Sequence, residues 1–321
     1  MERPEADMKI TKPLSYKPKK SFSKRLGEQK ELIIITLPFL LLLLLFSYVP
    51  LWGWVMAFQN YKPALGVQHS DWVGLKNFAE LFKDKDFYLS IRNTLGISTL
   101  KFVTGFTGSI GLAVLINEVR NARFKKAVQT ISYLPHFVSW VVAASIVTSV
   151  LSPDDGIVNQ ILISLHFIKD PIAFMGIPGL FWGILAGSDL WKEIGWGTII
   201  YLAAMTAIDS ELYEAASIDG AGRIRKIFAI TLPSIIPTIK ILMILNVGWL
   251  LTANFEQVYL LKNSMVMDVA QTLEIYVYNL GIPLGRYSFA TTAGIFTSVV
   301  SLILVLSCNR LSKLLDGESA F

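Results

Sequence analysis

Asp189, Lys192 and Glu193 lie within one short stretch of an otherwise apolar segment running from Gly179 to Ile208. A charge inside an apolar segment is costly to hold there and normally faces protein or water, which makes all three functional candidates. Asp189 and Lys192 stand three positions apart, a spacing that puts both on one helix face and permits an ion pair. The trio forms either the wall of a polar cavity or structural bridges to a neighbouring helix. A second polar stripe follows in Asn246, Trp249, Asn254 and Glu256. Amides beside an indole suit a pyranose ring, binding its hydroxyls and stacking on its face, although the indole serves equally well for packing. Lys101 stands about two turns inside another apolar segment, too deep to snorkel easily, and requires an acidic partner or an opening onto the cavity.

None of this is catalytic chemistry. His69, His136 and His166 are scattered over separate segments, and Cys308 is the single cysteine, so neither a metal-ligand spacing nor an intramolecular disulfide is available. The chain contains no G-x-x-x-x-G-K-[ST] loop to cradle ATP phosphates, and it is expected to bind no cofactor of its own. A different kind of site is carried by Glu214 to Pro233, EAASIDGAGRIRKIFAITLP, a polar cassette between apolar segments. It reads as a short helix over Glu214–Asp219, ended by Gly220 and Gly222 and followed by the basic residues Arg223, Arg225 and Lys226. Leu212, Ala215, Ala216 and Ile218 give that helix a small apolar face.

The elements that position these residues must be membrane helices. Hydrophobic residues make up 53% of the chain and the mean hydropathy is +0.52, beyond the range of a soluble globular domain. Six apolar segments stand out, at Leu32–Phe58, Thr94–Ile116, Val128–Leu151, Gly179–Ile208, Ser234–Ala253 and Phe289–Cys308. Each is near or above the ~20 residues that a spanning helix needs. The first is too long for the apolar core of a signal peptide and is read as a retained span. The expected fold is therefore all-α, a polytopic protein with six transmembrane helices.

Loop charges orient it. With the N-terminus inside, 18 Lys and Arg fall on the inner side against eight on the outer, placing both termini and the cassette in the cytoplasm. The same bias accounts for the pI of 9.1 without invoking nucleic acid. The expected organisation is a basic tail at residues 1–31, a transmembrane domain at 32–308 with its polar loop at 209–233, and a tail at 309–321. Residues 1–20 are proline- and lysine-rich and predict disorder. Ser21 to Glu31 is either an amphipathic interfacial helix or a simple charge cluster. Trp52 and Trp54 read as outer-interface anchors.

In the cassette, Glu214-Ala-Ala, then Gly220, then nine residues, then Ile230-x-Leu232-Pro233 resembles the EAA signature loop of the permease subunits of ATP-binding-cassette (ABC) importers. Asn93-Thr94, Leu115-Ile-Asn-Glu118, Val128-Gln-Thr-Ile-Ser-Tyr-Leu-Pro-His-Phe137, Trp191-Lys-Glu-Ile-Gly-Trp196, Ile199-Ile-Tyr-Leu-Ala203 and Glu318-Ser-Ala-Phe321 resemble the oligosaccharide and polysaccharide uptake branch, an alginate-type importer among its members. The resemblance covers nearly everything after residue 32. It implies a type I importer permease of the bacterial cytoplasmic membrane, whose cassette is a coupling helix seated in a separate ATPase, with Glu214, Ala215, Ala216, Asp219 and Gly220 at that contact. Phe321 at the C-terminus is either a further contact or a frayed end. The implied partners are a second permease, an ATPase dimer that holds ATP and magnesium, and an extracellular solute-binding protein. The substrate pathway is expected at Asp189, Lys192, Glu193, Asn246, Trp249 and Asn254. A channel lacks any filter-like ring here. An ion-coupled transporter using Asp189 and Glu193 is the alternative, although no repeat accompanies it.

Overall fold

A computed structural model describes residues 29–316. It divides into two units, residues up to Gly53 and residues from Trp54 onward. Phe321 and most of the Ser21–Glu31 segment lie outside the described residues.

The first unit is helical. Helix α1, Lys30–Phe58, begins in it, and its residues 32–52 are exposed throughout. Leu44–Tyr48 forms a wide turn, and Val49–Phe58 is wound more tightly. Pro50 explains the change of pitch, because it offers no amide to the turn below and its ring crowds the carbonyl four residues back.

The second unit is built on two long helices, α3 (Lys85–Glu118) and α7 (Pro178–Thr206), with the short α2 (Lys76–Leu81) leading into the first. Gly96 lies against the Trp182 ring, Gly108 against Leu190, and Ser109 Oγ points at the Ile194 carbonyl. These pairs advance together along both helices, so α3 and α7 run in the same direction. One buried cluster at their first halves joins Ile97, Phe181 and Leu185 to Val258 and Ile275. Another at their far ends joins Ala113, Ile116, Tyr201 and Met205 to Ile235. Between α3 and α7 the chain makes α4 (Ala122–Tyr133), α5 (Trp140–Val150) and α6 (Ile157–Ser164). The expectation of one continuous span over Val128–Leu151 is corrected, since Ala122–Phe137 and Trp140–Val150 meet at 104°. Pro135 cannot donate. Ser139 leaves the helical conformation, at ψ 154°, and caps α5, as a serine before a first turn commonly does.

After α7 come α8 (Ser210–Ile218), α9 (Arg223–Ser234) and α10 (Ile236–Val247), the last two meeting at 58°. A wide turn at Ile227–Thr231 again precedes a proline, Pro233. The expected span to Ala253 stops short, because α10 ends at Val247 and the chain continues in turns to α11 (Phe255–Leu261). Helices α12 (Leu273–Gly281) and α13 (Tyr287–Asp316) complete the unit. Tyr276 on α12 donates to Asp84 at 2.8 Å. Burial, with that carboxylate beside it, pushes its phenol above the ordinary range. Among the described residues, three helices (α1, α3 and α13) are long and apolar enough to cross a membrane, or up to five if each bent pair is one span. Helix α7 has 29 residues, about 43 Å of length, but carries three charges near its middle.

Candidate functional site: a charged cavity and an exposed loop helix

The parallel packing of α3 and α7 leaves a cavity of about 390 Å³ between them and the end of α10. Its wall includes Lys101, Asp189, Glu193, Trp196, Asn246 and Trp249. Lys101 Nζ meets Asp189 Oδ1 at 2.8 Å, with side-chain exposures of 12% and 19%. The same ammonium donates to Gln257 Oε1 at 2.8 Å and to the Ala253 carbonyl at 3.4 Å. Gln257 is itself fully buried and passes its amide protons to the Leu185 carbonyl and Ser188 Oγ, at 2.8 and 2.9 Å. One buried network therefore ties α3, α7 and α11 together, and its charges are balanced within it.

A second cluster occupies the break between α4 and α5. Lys192 Nζ donates to Glu193 Oε1 and to the His136 carbonyl, both at 2.9 Å. Glu193 Oε2 lies 2.6 Å from His136 Nδ1. The His136 ring stacks on Trp196, with centroids 4.3 Å apart and planes 3° from parallel. Gly195 permits the approach: a side chain there would run into the Ser132 carbonyl.

The loop after α7 is organised differently. Asp209 caps α8 by accepting from the Glu211 amide at 2.9 Å. At the other end Gly220 N–H donates to Ser217 O and Ala221 N–H to Ala216 O, the paired bonds of a Schellman cap. That cap needs a left-handed residue after Asp219, a conformation that costs glycine nothing. Gly220 supplies it at φ 73°. Tyr213 Oη, 2.9 Å from Thr231 Oγ1, ties α8 to the end of α9, just before its bend into α10. Arg223 bridges to Glu118 at the end of α3, 3.2 Å from its carboxylate. Between these anchors Glu214, Ala215 and Asp219 are exposed, and so are Leu212, Ile218, Ile224 and Phe228, with Ile218 at 88%.

Of the residues singled out for the pathway, Asp189, Glu193, Asn246 and Trp249 share the cavity. Lys192 and Asn254 do not join them. Lys192 is buried at the α4–α5 break, and Asn254, left-handed at φ 65°, turns its side chain to the Gln257 amide as the cap of α11. The expected Asp189–Lys192 ion pair is corrected: Asp189 pairs with Lys101, and Lys192 with Glu193. Three positions on a helix still leave about 60° between side chains, enough to aim them at different neighbours. Lys101 meets both expectations, an acidic partner and the cavity. Sequence reasoning passes over His136, Trp196 and Gln257, which the fold brings to the cavity wall or directly behind it. A lone His after a proline carries no spacing signal, whereas Trp196, four positions from Lys192, offers the one local clue. Among the described residues, no three His, Cys, Asp or Glu side chains converge as a metal site would require.

Residues 105–317 match the family profile described as the inner membrane component of binding-protein-dependent transport systems. The chain is 45% identical over 297 residues to the polygalacturonan/rhamnogalacturonan transport system permease protein YteP of Bacillus subtilis (strain 168), covering 92% of each. It is 42% identical over 301 residues to Protein LplB of the same organism, covering 94% of each. A chain in the crystal structure of a bacterial ABC transporter involved in import of the acidic polysaccharide alginate superposes with a TM-score of 0.84 at 39% identity, covering 92% of this chain and 99% of that one.

Proposed function

The chain belongs to the family of inner membrane components of binding-protein-dependent transport systems, and from that premise we propose that it is a permease subunit of an ATP-driven importer for oligosaccharides or polysaccharide fragments. The observation that carries the reading is the loop around α8. A helix capped at both ends, tied through Tyr213 to the end of α9, followed by an Arg223 that anchors the loop to α3, and exposing Glu214 beside Leu212 and Ile218 is built to pass force to another protein. In this reading Glu214, Ala215, Ala216, Asp219 and Gly220 seat in the ATPase, and the C-terminal Phe321 adds to that contact. The ATPase dimer holds ATP and magnesium, a second, related permease completes the pathway, and an extracellular solute-binding protein delivers the sugar. Nucleotide-driven approach of the ATPase subunits moves the loop, and the spans rock between outward- and inward-open states.

Six spans with both termini in the cytoplasm of a bacterial inner membrane fit this arrangement. The parallel course of α3 and α7 supports it: two helices that cross a membrane in the same direction need one return crossing, and α4 with α5 is the segment between them able to supply it. The cavity offers the sugar carboxylate and amide acceptors at Asp189, Glu193 and Asn246, with indoles at Trp196 and Trp249. An ion-coupled cycle through Asp189 and Glu193 has less support, because a lysine already neutralises each carboxylate.

The test is uptake by the complex assembled with both permeases, the ATPase and the binding protein in proteoliposomes. Galacturonan, rhamnogalacturonan, alginate and arabinan fragments are offered in turn. ATP-dependent accumulation of at least one is the expected result. Uptake driven by a proton or sodium gradient without ATP would overturn the reading.

A further inference from the structure

The break between α4 and α5 frees a backbone acceptor. In an unbroken helix the His136 carbonyl would accept from the amide of Trp140, but the extended Ser139 turns the chain away. Lys192 Nζ takes that place at 2.9 Å. Lys192 is only 5% exposed, and its charge is met by Glu193 Oε1 at 2.9 Å and by the Trp140 ring, 5.4 Å from its centroid. The negative face of an indole attracts an ammonium at that range. Glu193 uses its other oxygen on His136 Nδ1 at 2.6 Å. Main chain and side chain of His136 are thus both fixed from α7. The ring so held lies flat on Trp196, which is 48% exposed and lines the cavity. Imidazole covers one face of the indole, Phe137 meets it edge-on with centroids 6.2 Å apart, and the exposed remainder of the ring is what a ligand in the cavity would meet. An aromatic face fixed in this way, with the Glu193 carboxylate beside it and Asn246 and Trp249 elsewhere on the wall, has the chemistry of a pyranose platform: C–H bonds pack on the ring and hydroxyls reach the polar groups.

We propose that Trp196 contacts the sugar in transit, and that His136, Glu193 and Lys192 are positioning residues that hold its ring through the α4–α5 break. The inference rests on the importer reading and assigns to Lys192 a role behind the wall. It predicts a loss that follows the stack first and the imidazole hydrogen bond second.

The experiment uses the assembled complex and measures how initial uptake depends on concentration for tetragalacturonide, or for whichever fragment of the screen above is transported. Trp196→Ala should raise the apparent KM about tenfold at unchanged complex yield, the loss expected for one aromatic contact. His136→Ala should do the same to a smaller degree. His136→Phe, which keeps a ring on Trp196 and drops the bond to Glu193, should recover part of that loss. Lys192→Met leaves Glu193 without its lysine and should lower the yield, and adding Glu193→Gln should restore it. A separate readout does not depend on the KM values: Trp196→Cys in a Cys308→Ser background should react with a methanethiosulfonate, and transported sugar should slow the reaction. Wild-type KM in both Trp196→Ala and His136→Ala, or labelling of Trp196→Cys that sugar leaves unchanged, overturns the proposal. Absence of any ATP-dependent uptake in the wild-type complex instead overturns the importer reading on which it rests.

Discussion

The α8 loop and the α3–α7 cavity both depend on charged residues, and they hold them in opposite ways. In the loop, Asp209 bonds an amide two residues away, Gly220 and Ala221 close the helix on its own last turn, and Glu214 is left exposed. In and behind the cavity wall each cation is also held from afar: Lys101 reaches Gln257 across 156 positions, and Lys192, besides its neighbour Glu193, reaches the His136 carbonyl across 56. A charge in water contributes little to folding and is available to a partner, whereas a buried charge is bound up in the fold before any substrate arrives. Substitution should therefore separate the two regions by what fails, assembly in one and coupling in the other.

Lys101→Met should give the largest effect. It leaves Asp189 desolvated without its cation and Gln257 Oε1 without a donor. Removing one member of a buried pair costs about 3–5 kcal/mol, and removing both with apolar groups of similar volume is close to neutral. Thermal unfolding of the purified subunit should show a strong loss for Lys101→Met and for Asp189→Leu separately, and partial recovery in the double variant, in which Gln257 Oε1 still lacks its donor. Losses that add would show that the two residues act independently and would weaken the contrast with the loop.

The same contrast explains what can be read in the sequence. The end of α8 is legible because its cap is local: a glycine following a short helix predicts the left-handed turn at Gly220. The membrane class is legible from apolar runs, which need no tertiary information. The pairing of charges is not, because spacing along α7 places Asp189 near Lys192 but says nothing of α3 or of the α4–α5 break, where the actual partners stand. Asn254 misleads for a related reason: an amide suits a sugar hydroxyl and a helix cap equally, and the backbone at φ 65° decides for the cap. The bend within Val128–Leu151 is signalled by Pro135, although an apolar run by itself does not report direction.

Within the loop, Gly220 and Gly222 test whether the local cap is the essential part. Neither has a neighbour within 4 Å of where a Cβ would stand, so space does not distinguish them. Conformation does, with φ at 73° in Gly220 and −69° in Gly222. A side chain at the left-handed position costs about 1–2 kcal/mol. Gly220→Val should then reduce uptake well below Gly222→Val in the same assay, and equal activities would mean that the cap does not set the helix end. Tyr213→Phe removes the hydroxyl contact to Thr231 and should cost less, about 1 kcal/mol for one hydrogen bond. Its expected signature is looser coupling, read as ATP hydrolysed per sugar imported, with normal complex yield.

Glu214→Ala should leave stability almost untouched, the smallest effect of the series on that scale. The side chain is exposed in the middle of α8, and an exposed carboxylate gives little to the folded state. Alanine also favours the helix slightly more than glutamate does. In the proposed importer its value lies in what it meets. A carboxylate seated against a basic group of an ATPase makes a charge-assisted hydrogen bond, about twice as strong as a neutral one, and makes it where force is transmitted. The variant should therefore unfold at the wild-type temperature as an isolated subunit, yet capture less ATPase and import less sugar. Glu214→Gln keeps the shape and a neutral acceptor and should fall between the two. Wild-type unfolding with wild-type uptake in Glu214→Ala would remove the exposed charge from the mechanism. A large fall in unfolding temperature would show that Glu214 belongs with the buried charges of the cavity after all.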